Sequence, residues 1–223
     1  MNKKCRTTGI NKYPQINNIM KIINENNIHP VFDQIMTRED KEQLLRQRSK
    51  VIWFTGLSGA GKTTLAKELE KRLHQNGYLT QVLDGDNIRT GINNNLGFSE
   101  EDRRENIRRI SEVSKLLIHS GVITINSFIS PTSEIRHMAM DIIGKENFIE
   151  IHVHAPLEVC EQRDVKGLYK KAREGKIKNF TGIDAPFEEP KNADIRVDTS
   201  KLSVVESIEK IVEVILPKIT YWT

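Results

Sequence analysis

The sequence predicts an α/β fold, a mostly parallel sheet of five strands layered between helices, and three observations predict it. Between residues 51 and 216, short apolar runs of strand-forming residues alternate with amphipathic helical patterns. That order builds a parallel sheet covered on both faces. The first run leads straight into Gly56-Leu57-Ser58-Gly59-Ala60-Gly61-Lys62-Thr63, and a helix-period stripe follows at once. Charged clusters then fall at the ends of later runs, where sheets of this kind bind ligands.

Each element has its own signal. Residues 1–48 are rich in Asn and charge and carry no strand pattern. Ile16, Ile19, Met20 and Ile23 follow helical spacing, and His29-Pro30 marks a break. Thr37 with Asp40 reads as an acidic capping box opening a second helix through about Arg48. We read 1–48 as a helical N-terminal extension packed on the core; for 1–13 a disordered tail is the competing reading. Strands are expected at 51–55, 79–84, 122–127, 148–153 and 195–197. After the glycine loop, Leu65, Ala66, Leu69 and Leu73 line a helix that Gly77 can close. Ile107, Ile110, Val113 and Leu117 stripe another. A last helix opens at Ser203 with Glu206, carries Val204, Ile208, Ile211 and Ile215, and is expected to stop at Pro217. The domain therefore spans 49–217, with 218–223 as a tail.

Composition narrows the class. Over 223 residues, 34 basic and 30 acidic side chains leave a net charge of +4, too mild to indicate nucleic acid. Cys5 and Cys160 form no C-x-x-C pair, the opening residues lack the apolar run of a signal peptide, and no stretch reaches membrane-spanning length. A cytoplasmic protein with no membrane partner is expected.

The chemistry starts at the glycine loop. Residues 56–63 complete G-x-x-x-x-G-K-[ST], a phosphate-binding P-loop in which backbone N–H groups form an anion-sized hollow. Lys62 supplies a mobile charge for the outer phosphates and Thr63 a hydroxyl for magnesium, so the fold expectation becomes a P-loop NTPase-like three-layer α/β/α domain. Asp84-Gly85-Asp86 ends the second strand and is followed by Arg89. Phosphoryl transfer to a hydroxyl wants carboxylates near that hydroxyl and near magnesium. Four arginines, Arg103, Arg104, Arg108 and Arg109, crowd one helix start; Arg103 and Asn106 are i, i+3 neighbours that can address one anion. Phe98 is either a core anchor or a stacking platform for a base. Ser130 before Pro131 reads as a helix N-cap; a sharper reading makes it a covalent phosphoryl carrier. The basic run from Arg163 to Arg173, continuing to Asp184, suits a lid at about 164–184. His152 and His154 share a strand face, but no third metal ligand lies near them in sequence.

Beyond these readings, the chain from about Asn27 to Pro217 closely resembles the adenylylsulfate kinases. The resemblance rests on the P-loop, Leu83-Asp84-Gly85-Asp86-Asn87-Ile88-Arg89, Leu96-Gly97-Phe98-Ser99, Glu105-Asn106-Ile107-Arg108-Arg109 and Phe128-Ile129-Ser130-Pro131. It extends through the Arg163-to-Arg173 run and Asn179-Phe180-Thr181-Gly182-Ile183-Asp184. It implies MgATP-dependent phosphorylation of the 3′-hydroxyl of adenosine 5′-phosphosulfate (APS), giving PAPS. It implies an ATP site of Gly56, Leu57, Ser58, Gly59, Ala60, Gly61, Lys62, Thr63, Thr64 and Arg163. The APS pocket would be Arg89, Phe98, Arg103, Asn106 and Ile129, with Phe180 stacking on the far side of the adenine. Asp84 and Asp86 would be base and magnesium organiser, Asp86 being favoured for the hydroxyl and, with Thr63, for Mg2+. Ser130 holds the family's proposed phosphoserine position, a role that direct in-line transfer does not need. A homodimer is implied as well. Thr90 departs from the His common there, and residues 1–26 match no family pattern. A small-metabolite or nucleoside-monophosphate kinase on the same loop is the second enzyme reading.

Overall fold

All five residues of the strand ahead of the P-loop, Val51–Thr55 (β1), are buried, because a central strand of a three-layer domain is covered on both faces. The computed structural model of the chain describes residues 29–31 and 34–221. Four further strands follow: Thr80–Asp84 (β2), Ile123–Ser127 (β3), Phe148–His154 (β4) and Ile195–Asp198 (β5). They lie in the order β2-β3-β1-β4-β5, and every pairing is parallel. Register aligns Ile52 with Ile125 on one side and Ile149 on the other.

The alternation within β1 assigns its side chains to two cores. Ile52 and Phe54 join Leu65, Leu69, Ile151, Ile211 and Ile215, which belong to the helices Lys62–Gln75 (α2) and Val204–Ile219 (α8) and to β4. Val51 and Trp53 join Ile107, Ile110, Ile135 and Phe148 on the other face, against Glu100–His119 (α4) and Ser133–Ile143 (α5). Between these lie Arg38–Leu45 (α1), Gly85–Thr90 (α3), Leu157–Arg163 (α6), Leu168–Arg173 (α7) and a 3-10 turn at Lys145–Asn147. Among the described residues, no helix is long and apolar enough to cross a membrane.

Several element ends differ from the sequence expectation, each for a physical reason. Among the described residues the chain divides into two units between Thr37 and Arg38. In the second, α1 is tied to the sheet-bearing body: Arg38 Nη1 donates to Asn147 Oδ1 at 2.9 Å, and Gln47 Nε2 donates to the Gly121 carbonyl at 2.7 Å. The helix ends at Leu45 and not near Arg48, because Arg46 turns to φ 51° and Gln47 pairs with Thr220. The expected helix over 16–23 lies outside the described residues. In α8 the Ser203–Glu206 capping box forms, but Pro217 does not stop the helix, which runs to Ile219. Proline near a C-terminus forfeits one ladder bond, and the Arg48 N–H donating to the Ile219 carbonyl at 2.7 Å holds the extra turn. Helix α5 starts at Ser133 with Thr132 as its cap, so Ser130 is not the N-cap. Ser130 instead lies buried at φ 40° beneath the chain's turn out of β3.

Candidate active site

The strand ends place the chemistry. Leaving β1, the chain turns at Gly56, where a Cβ would sit 2.2 Å from the Val153 carbonyl oxygen. Only glycine lets the loop lie so close to β4. At Gly59, φ is 75° and a Cβ would come within 2.9 Å of the Cys160 carbonyl oxygen. The loop then feeds α2 at Lys62, so its hollow faces a helix N-terminus. Lys62 is buried, and its Nζ donates to the Gly56 and Leu57 carbonyls at 2.9 and 2.8 Å. Burial pushes its ammonium down to about 8, against the pull of Cys160 and Asp84.

Thr63 Oγ1 donates to Asp84 Oδ2 at 2.8 Å and lies 3.4 Å from Ser127 Oγ. Asp84 pairs with Ser127 across β2 and β3. Its other oxygen, Oδ1, accepts the Asp86 N–H at 3.1 Å and caps α3. The two aspartates therefore occupy different environments. Asp84 is buried against Thr63, whereas Asp86 is exposed and forms an ion pair with Lys166 from the 164–184 segment. Sequence reading pairs Thr63 with Asp86; the folded chain brings Thr63 to Asp84.

Across the cleft stand the aromatic and cationic groups. Phe98 is 65% exposed, which rules out the core-anchor reading and leaves the ring at the surface of the cleft. The Arg89 guanidinium lies 4.4 Å from its centroid, held by the Leu96 and Gly97 carbonyls at 3.0 and 2.8 Å. Arg103 donates from Nε to the Phe98 carbonyl at 2.9 Å, and from Nη1 to Thr181 Oγ1 at 2.7 Å; Nη2 reaches the Asn179 carbonyl at 2.5 Å. One guanidinium thus joins the start of α4 to the 179–181 segment. Phe180 is buried, edge-on to Tyr169 at 5.0 Å. Asn106 is buried on α4, with Oδ1 accepting from Asn93 Nδ2 at 3.0 Å. The other three arginines face away: Arg108 and Arg109 bind Glu105, whose carboxyl they hold down to about 2, and Arg104 reaches Glu134.

Lys62, Thr63, Asp84, Asp86, Arg89, Phe98, Arg103, Asn106 and Phe180 border one cleft of about 960 Å³, as do Ser58, Gly59, Gly61 and Thr64 of the loop, and Ile129, Ser130 and Arg163. The Ser130 hydroxyl donates to Thr55 Oγ1 at 2.9 Å and accepts the Trp53 Nε1–H at 3.1 Å. Sequence reading missed Thr199 and gave Tyr169 and Lys166 no role of their own within the basic run. Arg163 Nη1 donates to the Gly59 carbonyl at 3.2 Å and to Thr199 Oγ1 at 3.0 Å, while Thr199 Oγ1 donates to the Ala60 carbonyl at 2.8 Å. Thr199 therefore braces the P-loop from the end of β5, a position its place just after a strand could have flagged. Tyr169 Oη donates to the Ser58 carbonyl at 2.9 Å. Lys166 was legible only as one cation among many.

The family model for adenylylsulphate kinase matches residues 48–198. An adenylyl-sulfate kinase of Bacteroides thetaiotaomicron is 64% identical over 195 residues, covering 87% of this chain and 97% of that protein. The Mycobacterium tuberculosis APS kinase solved with AMPPNP and APS superposes with a TM-score of 0.73 at 44% identity, over 76% of this chain and 98% of that one. A Sinorhizobium meliloti gluconokinase, at 16% identity, TM-score 0.53, and coverage of 76% and 93%, shares the fold alone.

Proposed function

The chain belongs to the adenylylsulphate kinase family, and from that membership we infer that it transfers the γ-phosphoryl group of ATP to the 3′-hydroxyl of APS, giving PAPS. One observation carries the reading: a P-loop with Lys62 and Thr63 shares its cleft with Arg89, Phe98, Arg103 and Phe180. APS presents an adenine to stack, a phosphosulfate to neutralise and a hydroxyl to deprotonate. Phenylalanines, arginines and aspartates meet those three needs.

ATP lies with its phosphates in the 56–64 loop, and Lys62 exchanges the Gly56 and Leu57 carbonyls for phosphate oxygens. Arg163 and Thr199 keep the loop in shape from behind. Opposite, Phe98 and Phe180 flank the adenine while Arg89 and Arg103 approach the phosphosulfate; Asn106 and Ile129 complete that wall. Asp86, exposed and borne on α3 beside the cleft, accepts the proton of the attacking hydroxyl. It must first part from Lys166, so lid movement and base availability are coupled. In-line attack needs no covalent stop, and the Ser130 hydroxyl, occupied on both sides, is a positioning group.

The Thr63, Asp84 and Ser127 oxygens form the hard-oxygen set that suits Mg2+. Thr63 and Asp84 would hold the ion, in place of the Thr63–Asp86 pair read from the sequence. When bound it supplies charge neutralisation of the transferring phosphoryl oxygens. The resemblance further supports a homodimer, which a solution mass measurement tests, and the paired-cysteine deficit supports a cytoplasmic setting.

The decisive assay presents MgATP with APS, AMP or adenosine. PAPS formation from APS alone is expected; phosphorylation of another acceptor without PAPS would overturn the assignment. Asp86→Asn is expected to lower turnover by about 10³-fold with ATP binding kept, and wild-type turnover in that variant removes Asp86 as the base.

A further inference from the structure

The face of β4 turned away from Ile149, Ile151 and Val153 carries two histidines that the reaction leaves unused. His152 is 2% exposed, and its Nδ1 has no hydrogen-bond partner. A buried imidazole nitrogen left unpaired in a native fold calls for a missing partner. The ring of His154 lies edge-on to it, with centroids 5.7 Å apart. The third ligand absent from the local sequence is supplied by the segment before β5. Glu189 Oε1 lies 3.3 Å from His154 Nδ1, and Oε2 lies 3.9 Å from Arg196 Nη2. One ligand atom from each of His152, His154 and Glu189 falls within 4.8 Å of the other two, and no other such trio occurs among the described residues. Tetrahedral Zn2+ holds such atoms roughly 3.4 Å apart, so a side-chain adjustment of about 1 Å gathers them.

We propose that His152, His154 and Glu189 form a binding site for a borderline divalent transition-metal ion, of which Zn2+ is the type, outside the reaction cleft. Two imidazoles and one carboxylate, with room left for water, are a donor set Zn2+ favours over the hard Mg2+. His154 and Glu189 border a second cleft of about 600 Å³, distinct from the one that holds the P-loop lysine. Arg196, on the far carboxylate oxygen, acts as an outer partner that orients the ligand.

The location gives the ion leverage on the kinase. The neighbouring Glu188 is fastened to the acceptor side: its N–H donates to the Pro131 carbonyl at 2.8 Å, and its Oε2 accepts the Ser133 N–H at 2.8 Å. On the β4 side, the His154 carbonyl accepts the Thr199 N–H at 2.9 Å, and Thr199 braces the P-loop. An ion joining Glu189 to His152 and His154 therefore cross-links the 130–133 turn to the strand end behind the ATP site. A metal bound only by the folded state stabilises it by mass action.

The test is Zn2+ titration of the full chain, tag-free, with millimolar Mg2+ present and no nucleotide. Calorimetry reads affinity, Co2+ substitution reads visible d–d absorption, and thermal unfolding reads stability. One ion per chain is expected, with a melting temperature raised by about 5–10 °C at 100-fold excess over Kd. Glu189→Gln and His154→Asn should each weaken Zn2+ by at least about 10-fold and lose the Co2+ spectrum. Glu189 is exposed, so that variant is expected to fold even if His154→Asn does not. Absence of stoichiometric binding, or binding of unchanged affinity in the Glu189→Gln protein, overturns the proposal.

Discussion

Replacing Ser130 with alanine separates a structural hydroxyl from a covalent one. In the fold Ser130 Oγ accepts the Trp53 Nε1–H at 3.1 Å and donates to Thr55 Oγ1 at 2.9 Å. Thr55 Oγ1 keeps its own donation to the Ile129 carbonyl at 2.7 Å, so alanine orphans only the indole N–H. Trp53 is wholly buried, and an unsatisfied buried donor costs about 1–3 kcal/mol. Serine and alanine are equally strained at φ 40°, so the backbone adds nothing. For a domain of this size that corresponds to a melting temperature lower by about 2–12 °C. Turnover of APS with MgATP, measured well below the new midpoint, should stay within about fivefold of wild type, because no transferred group touches the hydroxyl. Differential scanning calorimetry and a coupled kinase assay read the two effects separately. A loss of about 10³-fold in turnover with an unchanged melting temperature would refute this reasoning and restore the phosphoserine. So would trapping a phosphoryl group on Ser130 during turnover.

Two further outcomes follow from the same geometry. Burial holds Lys62 down to about 8 without nucleotide, and ATP phosphates favour the ammonium. ATP affinity should therefore be full below pH 8 and fall about tenfold per unit as pH rises above it; calorimetry from pH 7 to 10 showing no decline would contradict it. Arg103→Lys keeps the charge but loses the fork that spans Phe98, Asn179 and Thr181. It should lower kcat/KM for APS by about 100-fold while moving the KM for ATP by less than about threefold, and steady-state kinetics with each substrate varied checks the split.

Much of the site was legible because it lies in contiguous motifs. The P-loop, the Asp84-Gly85-Asp86 turn and the Arg89 and Arg103 guanidiniums are each set by a short run of residues at a strand end. Strand positions were equally legible, since apolar runs between helical stripes carry a local period. The failures were of another kind. Ser130-Pro131 has the composition of a helix start, yet the buried Trp53 N–H claims the serine and Thr132 takes the cap. Pro217 reads as a stop, yet contacts to residues 47 and 48 carry α8 past it. The ambiguity of Phe98 could not be resolved by spacing, because exposure depends on which helices surround it.

The sequence by itself determined the strand–loop–helix grip on phosphate, the order of the layers and the residue types of the reaction cleft, because local propensity and motif spacing need no partner. Tertiary structure alone decided the pairings between distant segments. It set Thr63 against Asp84 and left Asp86 to Lys166, placed Thr199 and Arg163 behind the loop, and carried Glu189 to His152 and His154. Hydrogen bonds and ion pairs act over a few ångströms, a distance that position along the chain does not encode.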